Sequence, residues 1–403
     1  VRLAATLLLV LGAAVAPAQA QAQADEAPPP LPGADAAIVV DGRDGDVLFA
    51  KRARSRRQIA STTKLMTALL TLERTRPRQV FTAADYDAAP VESQIALRPG
   101  ERMRVQDLFE ALMLESANDA AVTLAEGIAG TRSAFVSEMN ARAAELGLAD
   151  TSYANPIGFD DPANYSTARD LATLARYLLA RPRFARVADM PAAELETGAR
   201  PRVVENRNSL IASYPFVNGV KTGHTSQAGY VLVGSAKSAR TGARVIAVVM
   251  GEPSEAARDA DTLALLRWGL GRFQRVRVLD RDRPLARAAI EYRDERTALV
   301  PQRGVVVTLR EGQRVKRRVD APEQLSGPLP AGRRVGSVTV LVDGERVRRL
   351  PLVTATDVPG AGTLRVLLSE LGVPLTILAV VAILLGAMLL TLRLRVKVRL
   401  VRR

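Results

Sequence analysis

The chain has 403 residues, enough for two or three domains, and 48% of them are hydrophobic, which excludes a largely disordered protein. It has no cysteine and a single histidine, His224, so a cysteine nucleophile, thiolate zinc, disulfides and a multi-histidine metal site are excluded. The formal net charge is +14, but arginine is spread through every segment and accompanies no nucleic-acid motif, so no nucleic-acid partner is expected.

Residues 1–24 read as a secretory signal peptide. Arg2 supplies the positive start, Leu3 begins an apolar run, and Ala18-Gln19-Ala20 is a small-x-small cleavage site. Residues 25–35, with Pro28-Pro29-Pro30, read as a linker. A strand over 36–41, a turn over 42–46 and a second strand from Val47 form a hairpin. Ser61 opens a helix whose apolar positions Leu65, Met66, Leu69 and Leu72 keep close to a 3.6-residue period. The stretch 82–100 is irregular. Helices over 105–114 and 119–128 flank Ser116-Ala117-Asn118, and further helical patterns cover 132–146 and 166–179. Strands follow over 217–223, 230–235 and 245–250, then a closing helix over 255–270.

Helices bracketed by N- and C-terminal strands predict an α+β domain over 36–272, a sheet flanked by helices. Short alternating segments between turns predict a small all-β domain over 276–359. Residues 372–392 are uncharged and apolar, long enough for a transmembrane helix. Residues 393–403 carry six basic residues and no acid, so this tail is placed in the cytoplasm and the rest of the chain outside the membrane.

Only six of the 56 basic residues are lysines. Arginine stays protonated, whereas a desolvated lysine can act as a base. Lys64 stands three residues after Ser61, on the same helix face. A serine hydroxyl becomes nucleophilic only when a neighbouring base takes its proton. Taken alone, the pair also fits a helix-capping serine beside a solvated lysine. In Ser116-Ala117-Asn118 a hydroxyl is placed to relay a proton, and an amide on the same side of an extended turn to bind a peptide; alone, both residues also fit helix caps. Lys221-Thr222-Gly223 lies on an apolar strand, where alternation turns Lys221 and Gly223 to one face and the missing side chain admits a substrate backbone. In isolation it also fits a solvated lysine and a turn glycine.

Order and placement combine these elements: a helix start, an interhelical loop and a strand, in that sequence. The set resembles the penicillin-binding proteins and class A β-lactamases. Ala60-Ser61-Thr62-Thr63-Lys64-Leu65-Met66, Glu115-Ser116-Ala117-Asn118-Asp119-Ala120 and Gly219-Val220-Lys221-Thr222-Gly223-His224-Thr225 are similar to the low-molecular-mass D-alanyl-D-alanine carboxypeptidases, as are Ala228-Gly229-Tyr230 and the first hairpin. The likeness is strong from residue 36 to about 270 and looser through the β domain.

The resemblance implies a transpeptidase-type fold and a serine acyl-transfer site that uses no metal or cofactor. Ser61 would be acylated by the penultimate D-alanine carbonyl, with Lys64 as its base. Ser116 would protonate the departing D-alanine, and Asn118 would bind the peptide. The oxyanion hole would be the backbone N–H groups of Ser61 and His224. Lys221, Thr222, Gly223 and Arg258 would line the substrate's carboxylate side, with Arg207 a weaker match. Partners would be peptidoglycan stem peptides, β-lactams as covalent inhibitors, and the membrane through the C-terminal helix. Two departures stand out: Asn218 replaces the family's common Asp, and a spanning helix replaces the amphipathic anchor of many relatives. Rivals are a D,D-endopeptidase or β-lactamase on the same site, and a non-catalytic wall-binding or β-lactam-sensing protein.

Overall fold

The computed structural model describes residues 29–30 and 32–400. The expected signal peptide therefore lies outside the described residues, as do residues 25–28 and 31 of the linker and the last three of the basic tail. Strands β1 (Ala36–Asp41) and β2 (Val47–Lys51) form the first hairpin. After the short β3 (Arg57–Gln58), a 3-10 turn over Ala60–Thr63 runs into α1 (Lys64–Arg74). Strands β4 (Val80–Thr82) and β5 (Arg102–Arg104) pair at the two ends of a long loop.

Helices α2 (Val105–Met113), α3 (Asn118–Ala129) and α4 (Arg132–Glu145) follow. Then come β6 (Tyr165–Ser166), α5 (Ala168–Leu179) and α6 (Pro182–Ala188). A hairpin of β7 (Ala192–Leu195) and β8 (Arg202–Glu205) and the single turn α7 (Ser209–Ser213) lead into β9 (Val217–Thr225), β10 (Gly229–Lys237) and β11 (Arg244–Glu252). The long α8 (Glu255–Gly271) closes the unit.

The central sheet is antiparallel, in the order β2-β1-β11-β10-β9, so chain start and chain end meet in its middle. Strand β1 is buried along its whole length, which explains its unbroken apolar run. Alternation sends Ile38, Val40, Val233 and Val248 into one core with α1–α6, and Val39, Ala247 and Val249 into a second core under α8. Side-chain caps set four helix starts among the described residues: Thr131 for α4, Thr167 for α5, Asn208 for α7 and Ser254 for α8.

The second unit is all β: β12 (Phe273–Leu279), β13 (Ala286–Ile290), β14 (Arg296–Pro301), β15 (Val305–Arg310), β16 (Val315–Asp320), β17 (Gln324–Leu325), β18 (Arg334–Val342) and β19 (Glu345–Thr354). A β12-β15 pair packs on a six-stranded sheet, β16-β18-β19-β14-β13-β17, around its own core of Leu279, Val307, Val340 and Leu352. Arg310 joins the units by reaching Asp41, Asp44 and Asp46 on the first hairpin, and the Thr308 hydroxyl donates to Thr241 O at 2.6 Å. Helix α9 (Thr363–Leu400) breaks at Gly372, and its stretch Pro374–Arg393 is apolar, almost unburied and long enough to cross a membrane.

Three local features differ from the sequence reading. Ser116 is in the left-handed region at φ 63°, so its turn is bent rather than extended, and Asn118 is already the first residue of α3. Ser61 lies in a 3-10 turn before the α-helix proper. Helix α6 and the β7-β8 hairpin carried no periodic signal long enough to read.

The β7-β8 hairpin positions the site. Arg202 pairs with Glu101 at 2.7 Å, with both side chains nearly inaccessible, and donates to the carbonyls of Ile95 and Ala96. Burial pushes the Glu101 carboxyl up, but the Arg202 hydrogen bond and two backbone N–H donors outweigh it and hold the pKa at about 2. Its stabilisation is therefore whole above pH ~4.5, its ordinary value, and is lost as pH falls toward 2. Arg202→Leu strands a buried carboxylate and is expected to cost about 3–5 kcal/mol at pH 7. Urea unfolding at pH 7 and pH 3 checks this, and the cost should shrink at the lower pH.

Candidate active site

The site is built around the turn that carries Ser61. Ala60, just before it, is buried with φ 46°, a conformation costly for a residue with a side chain. Two glycines make room for this turn. A β-carbon on Gly158, whose φ is 97°, would fall 2.0 Å from Ala60 O. One on Gly223 would fall 3.1 Å from Ser61 N and Ala60 Cβ. Gly223 thus lets strand β9 press against the nucleophile's own turn, which places a strand backbone beside Ser61 N. Its missing side chain serves that contact before it serves any substrate.

Lys64 is fully buried, and its Nζ lies 3.0 Å from Ser61 Oγ, 2.6 Å from Asn118 Oδ1 and 2.7 Å from Ile157 O. Burial, and then the nearby Lys221 cation, hold its pKa well below the usual lysine range. The two oxygen acceptors other than serine are both carbonyls, so each takes an N–H. A neutral amine has two N–H bonds and one lone pair, and that lone pair is left for the Ser61 hydroxyl proton. Such an amine can take that proton as the hydroxyl attacks a carbonyl.

Each of these acceptors is itself held. Asn155 Oδ1 accepts from the backbone N–H groups of Ile157, Gly158 and Phe159, which fixes the loop presenting Ile157 O. Asn118 Nδ2 donates to Glu92 Oε2 at 2.7 Å, so the Oδ1 atom must face Lys64. Glu92 also accepts from the Tyr86 hydroxyl at 2.5 Å and from Ala89 N at 2.9 Å. Burial pushes the Glu92 carboxyl up, but these donors outweigh it and hold it below its ordinary value. Asp119 accepts from Ile95 N and Leu97 N and ties the same loop to α3.

Glu92, Tyr86, Asn155 and Ile157 all escaped the sequence reading. The Asn155-Pro156 and Gly158 signals mark a turn. Nothing in the sequence tells which carbonyl of that turn meets a lysine 93 positions away.

Ser116 Oγ is buried without a hydrogen-bond partner, next to the strained φ already noted. Lys221 is buried, and its Nζ makes one long bond, 3.2 Å to Thr222 O. Burial, then the Arg207 and Arg258 cations, bring the Lys221 pKa down to about 7. Both groups thus keep hydrogen-bonding capacity for a ligand. Thr222 is buried beside Lys221 on the strand.

His224 is exposed, and its ring stacks on Tyr230 with centroids 4.0 Å apart. Arg258 lies 6.0 Å from the Tyr230 ring but is ion-paired with Glu255 and Asp259 on its own helix, so it must exchange partners to meet a substrate carboxylate. Arg207 pairs with Glu115, the residue before Ser116. Asn218 accepts from the Ser235 hydroxyl at 2.9 Å, a neutral bond at the position where Asp was the common residue. The structure therefore brings Ser61, Lys64 and Asn118 into direct contact. It sets Lys221, Thr222 and Gly223 on the strand alongside and leaves Arg258 engaged elsewhere.

Comparison with known proteins matches residues 22–254 to the D-alanyl-D-alanine carboxypeptidase family, Peptidase S11. Residues 273–360 match the penicillin-binding protein 5 C-terminal domain. The D-alanyl-D-alanine carboxypeptidase DacF of Bacillus subtilis is 30% identical over 349 residues, 84% of this chain and 89% of that one. DacD of Escherichia coli is 33% identical over 360 residues, 85% and 91% of the two chains. The crystal structure of penicillin binding protein 5 from Haemophilus influenzae is 30% identical and superposes with a TM-score of 0.59, covering 83% of this chain and 99% of that one.

If the neutral Lys64 amine is the base, Lys64→Arg puts a permanent cation in its place and offers no lone pair. Acylation by a fluorescent penicillin is then expected to fall about 100- to 10,000-fold, the usual span of a lost general base. Stopped labelling followed on a gel checks it; a rate within tenfold of wild type would count against the assignment.

Proposed function

The chain belongs to the D-alanyl-D-alanine carboxypeptidase family, a family of penicillin-binding serine hydrolases, and from that premise we propose that it trims the terminal D-alanine from peptidoglycan stem peptides through an ester on Ser61. The observation that carries this reading is the Lys64 amine, buried with its N–H groups committed to Asn118 and Ile157 and its remaining contact on the Ser61 hydroxyl.

In this mechanism Ser61 Oγ attacks the penultimate D-alanine carbonyl while Lys64 takes the hydroxyl proton. The negative oxygen is held by the backbone N–H groups of Ser61 and His224, a device worth about 100- to 1000-fold per donor. The C–N bond breaks, and Ser116, backed by the Lys221 cation, gives its hydroxyl proton to the departing amine and is refilled by the proton that Lys64 took from Ser61. Asn118 keeps one Nδ2 hydrogen for the peptide after its bond to Glu92. Water then attacks the ester and gives a proton to the Lys64 amine, the bond to Ser61 Oγ breaks as that proton returns to Oγ, and a shortened stem peptide with a new carboxylate leaves. A β-lactam follows the same first step by opening its own amide.

Lys221 and Thr222 hold the substrate's terminal carboxylate, and Arg207 and Arg258 add positive potential around it. A β-lactamase needs a carboxylate free to activate the deacylating water. Glu92, the carboxylate bonded to Asn118, is committed to Tyr86, Asn118 and Ala89, which favours trapping over turnover of β-lactams.

The catalytic domain, 36–272, works outside the cytoplasm after export on the signal peptide, with the β domain of 276–359 between it and the membrane. The apolar stretch Pro374–Arg393 supports a single-pass anchor, and the basic residues after it support a cytoplasmic C-terminus.

Incubating the full-length protein with a pentapeptide and a cross-linked muropeptide tests the reaction. Wild type should release D-alanine from the pentapeptide, and Ser61→Ala should release none. Cleavage of the cross-link alone would replace this reading with an endopeptidase. The pH profile offers a second check. Lys221 is a cation below its pKa of about 7 and neutral above it. The kcat/KM for a carboxylate-terminated peptide should therefore fall as pH rises through about 7. Acylation by a β-lactam methyl ester, which offers no carboxylate, should keep only the weaker limb that Lys221 contributes through Ser116.

A further inference from the structure

The outer face of the β domain carries a pattern with no role in the reaction. On strands β16, β18 and β19 the register sets Lys316 opposite Leu341 and Leu341 opposite Arg346. Two residues along, it sets Arg318 opposite Thr339 and Thr339 opposite Arg349. Each row thus runs cation, neutral, cation. The four cations are exposed, and among the described residues none of them is in an ion pair. The middle strand supplies an uncharged floor of Ser337, Thr339 and Leu341, with Arg349 donating to Ser337 Oγ at 3.1 Å. Two strand spacings separate the basic walls by about 10 Å. The result is a trough of about 800 Å³ whose lining holds three arginines and one acid, Asp320.

Exposed cations are a common defence of edge strands against pairing with other chains. That accounts for Lys316 and Arg318, because β16 is an edge. It reaches Arg346 and Arg349 too, because β14 pairs with β19 only at Leu352, Val353 and Thr354, but it does not account for two cation rows set on either side of a neutral strand.

We propose that this trough is a docking site for a linear, carboxylate-bearing wall polymer, a peptidoglycan strand seated between the two arginine-bearing walls. The inference rests on the proposed function, since both substrate and product stems end in carboxylates. Charge complementarity selects an anion, and guanidinium groups pair carboxylates in forked geometry. The shape selects a chain, because a recessed neutral floor between raised cations suits an extended polymer and not a flat lipid surface. The floor carries hydroxyls and no aromatic ring, so it offers sugars and peptides hydrogen bonds and offers nucleic-acid bases no stacking platform. The trough belongs to the unit that also holds the membrane helix: Tyr292 donates to Glu370 in α9 at 3.1 Å, and Arg293 donates to Gly360 O. A tethered enzyme with such a trough retains the polymer while its active site works along the stems.

The test uses full-length protein in neutral detergent, with Ser61 first acylated by penicillin to remove binding through the active site. Bound protein is sedimented with isolated peptidoglycan sacculi across a salt series. Wild type should bind and be released by salt. Arg318→Glu/Arg346→Glu/Arg349→Glu should lower the affinity at least tenfold, with penicillin acylation and thermal unfolding unchanged. Arg287→Glu/Arg296→Glu/Arg303→Glu, the same charge change elsewhere on the domain, should stay within twofold of wild type. The milder Arg→Gln set at 318, 346 and 349 should follow the Glu set, which guards against misfolding. Equal binding by wild type and the trough variants overturns the proposal, as does equal loss in both triple variants. So does a trough variant that loses only binding to anionic phospholipid vesicles. Failure of wild type to react with penicillin overturns the proposed function instead and leaves the sedimentation result readable.

Discussion

The burial of one amine governs this site. Lys64 is wholly inside the protein, and a buried ammonium is costly unless it is fully paired. Its contacts are two carbonyl oxygens and a hydroxyl, none of them a carboxylate, and burial with another lysine near by outweighs the opposing pull of Glu92 and Asp119 and favours the neutral amine. A base of this kind needs neither histidine nor metal. That accounts for how a chain with one exposed histidine, stacked on a tyrosine, can still carry a serine acyl-transfer site.

Keeping the amine in place takes several elements far apart in the chain. Asn155 braces the loop under Ile157, and Glu92 orients Asn118. Arg202 and Asp119 pin the irregular loop that brings Glu92 in. Two of the six non-glycine conformations at positive φ among the described residues, Ala60 and Ser116, lie at the reacting groups. Non-glycine residues persist there only where the surrounding structure over-determines them. The close fit of Gly158 and Gly223 against the Ser61 turn is that over-determination in atomic terms.

Much of this was legible in the sequence. The hairpin at 36–51, the helix after Ser61 and the strand pair carrying Lys221-Thr222-Gly223 follow from period and turn signals, because their burial is regular. The scarcity of lysine drew attention to Lys64 and Lys221. What was not legible depends on long-range contact. Glu92 sits in a loop with no periodicity, and its importance appears only when α3 brings Asn118 against it. Gly223 was legible as a close approach but not as an approach to Ala60. Arg258 was legible as a cation near the site, whereas its pairing with Glu255 and Asp259 depends on side-chain choices along its own helix.

The central claim is that Lys64 is neutral when the enzyme meets its substrate. Because the chain has only six lysines, isotope labelling of lysine side chains gives a spectrum simple enough to assign with single Lys→Arg variants. The measurement is a pH titration of those resonances by NMR, before and after acylation of Ser61. The account predicts that the Lys64 signal titrates well below an ordinary lysine, near 10.4, and shifts when Ser61 is acylated. A Lys64 that stays protonated up to the ordinary lysine range and ignores acylation would contradict it.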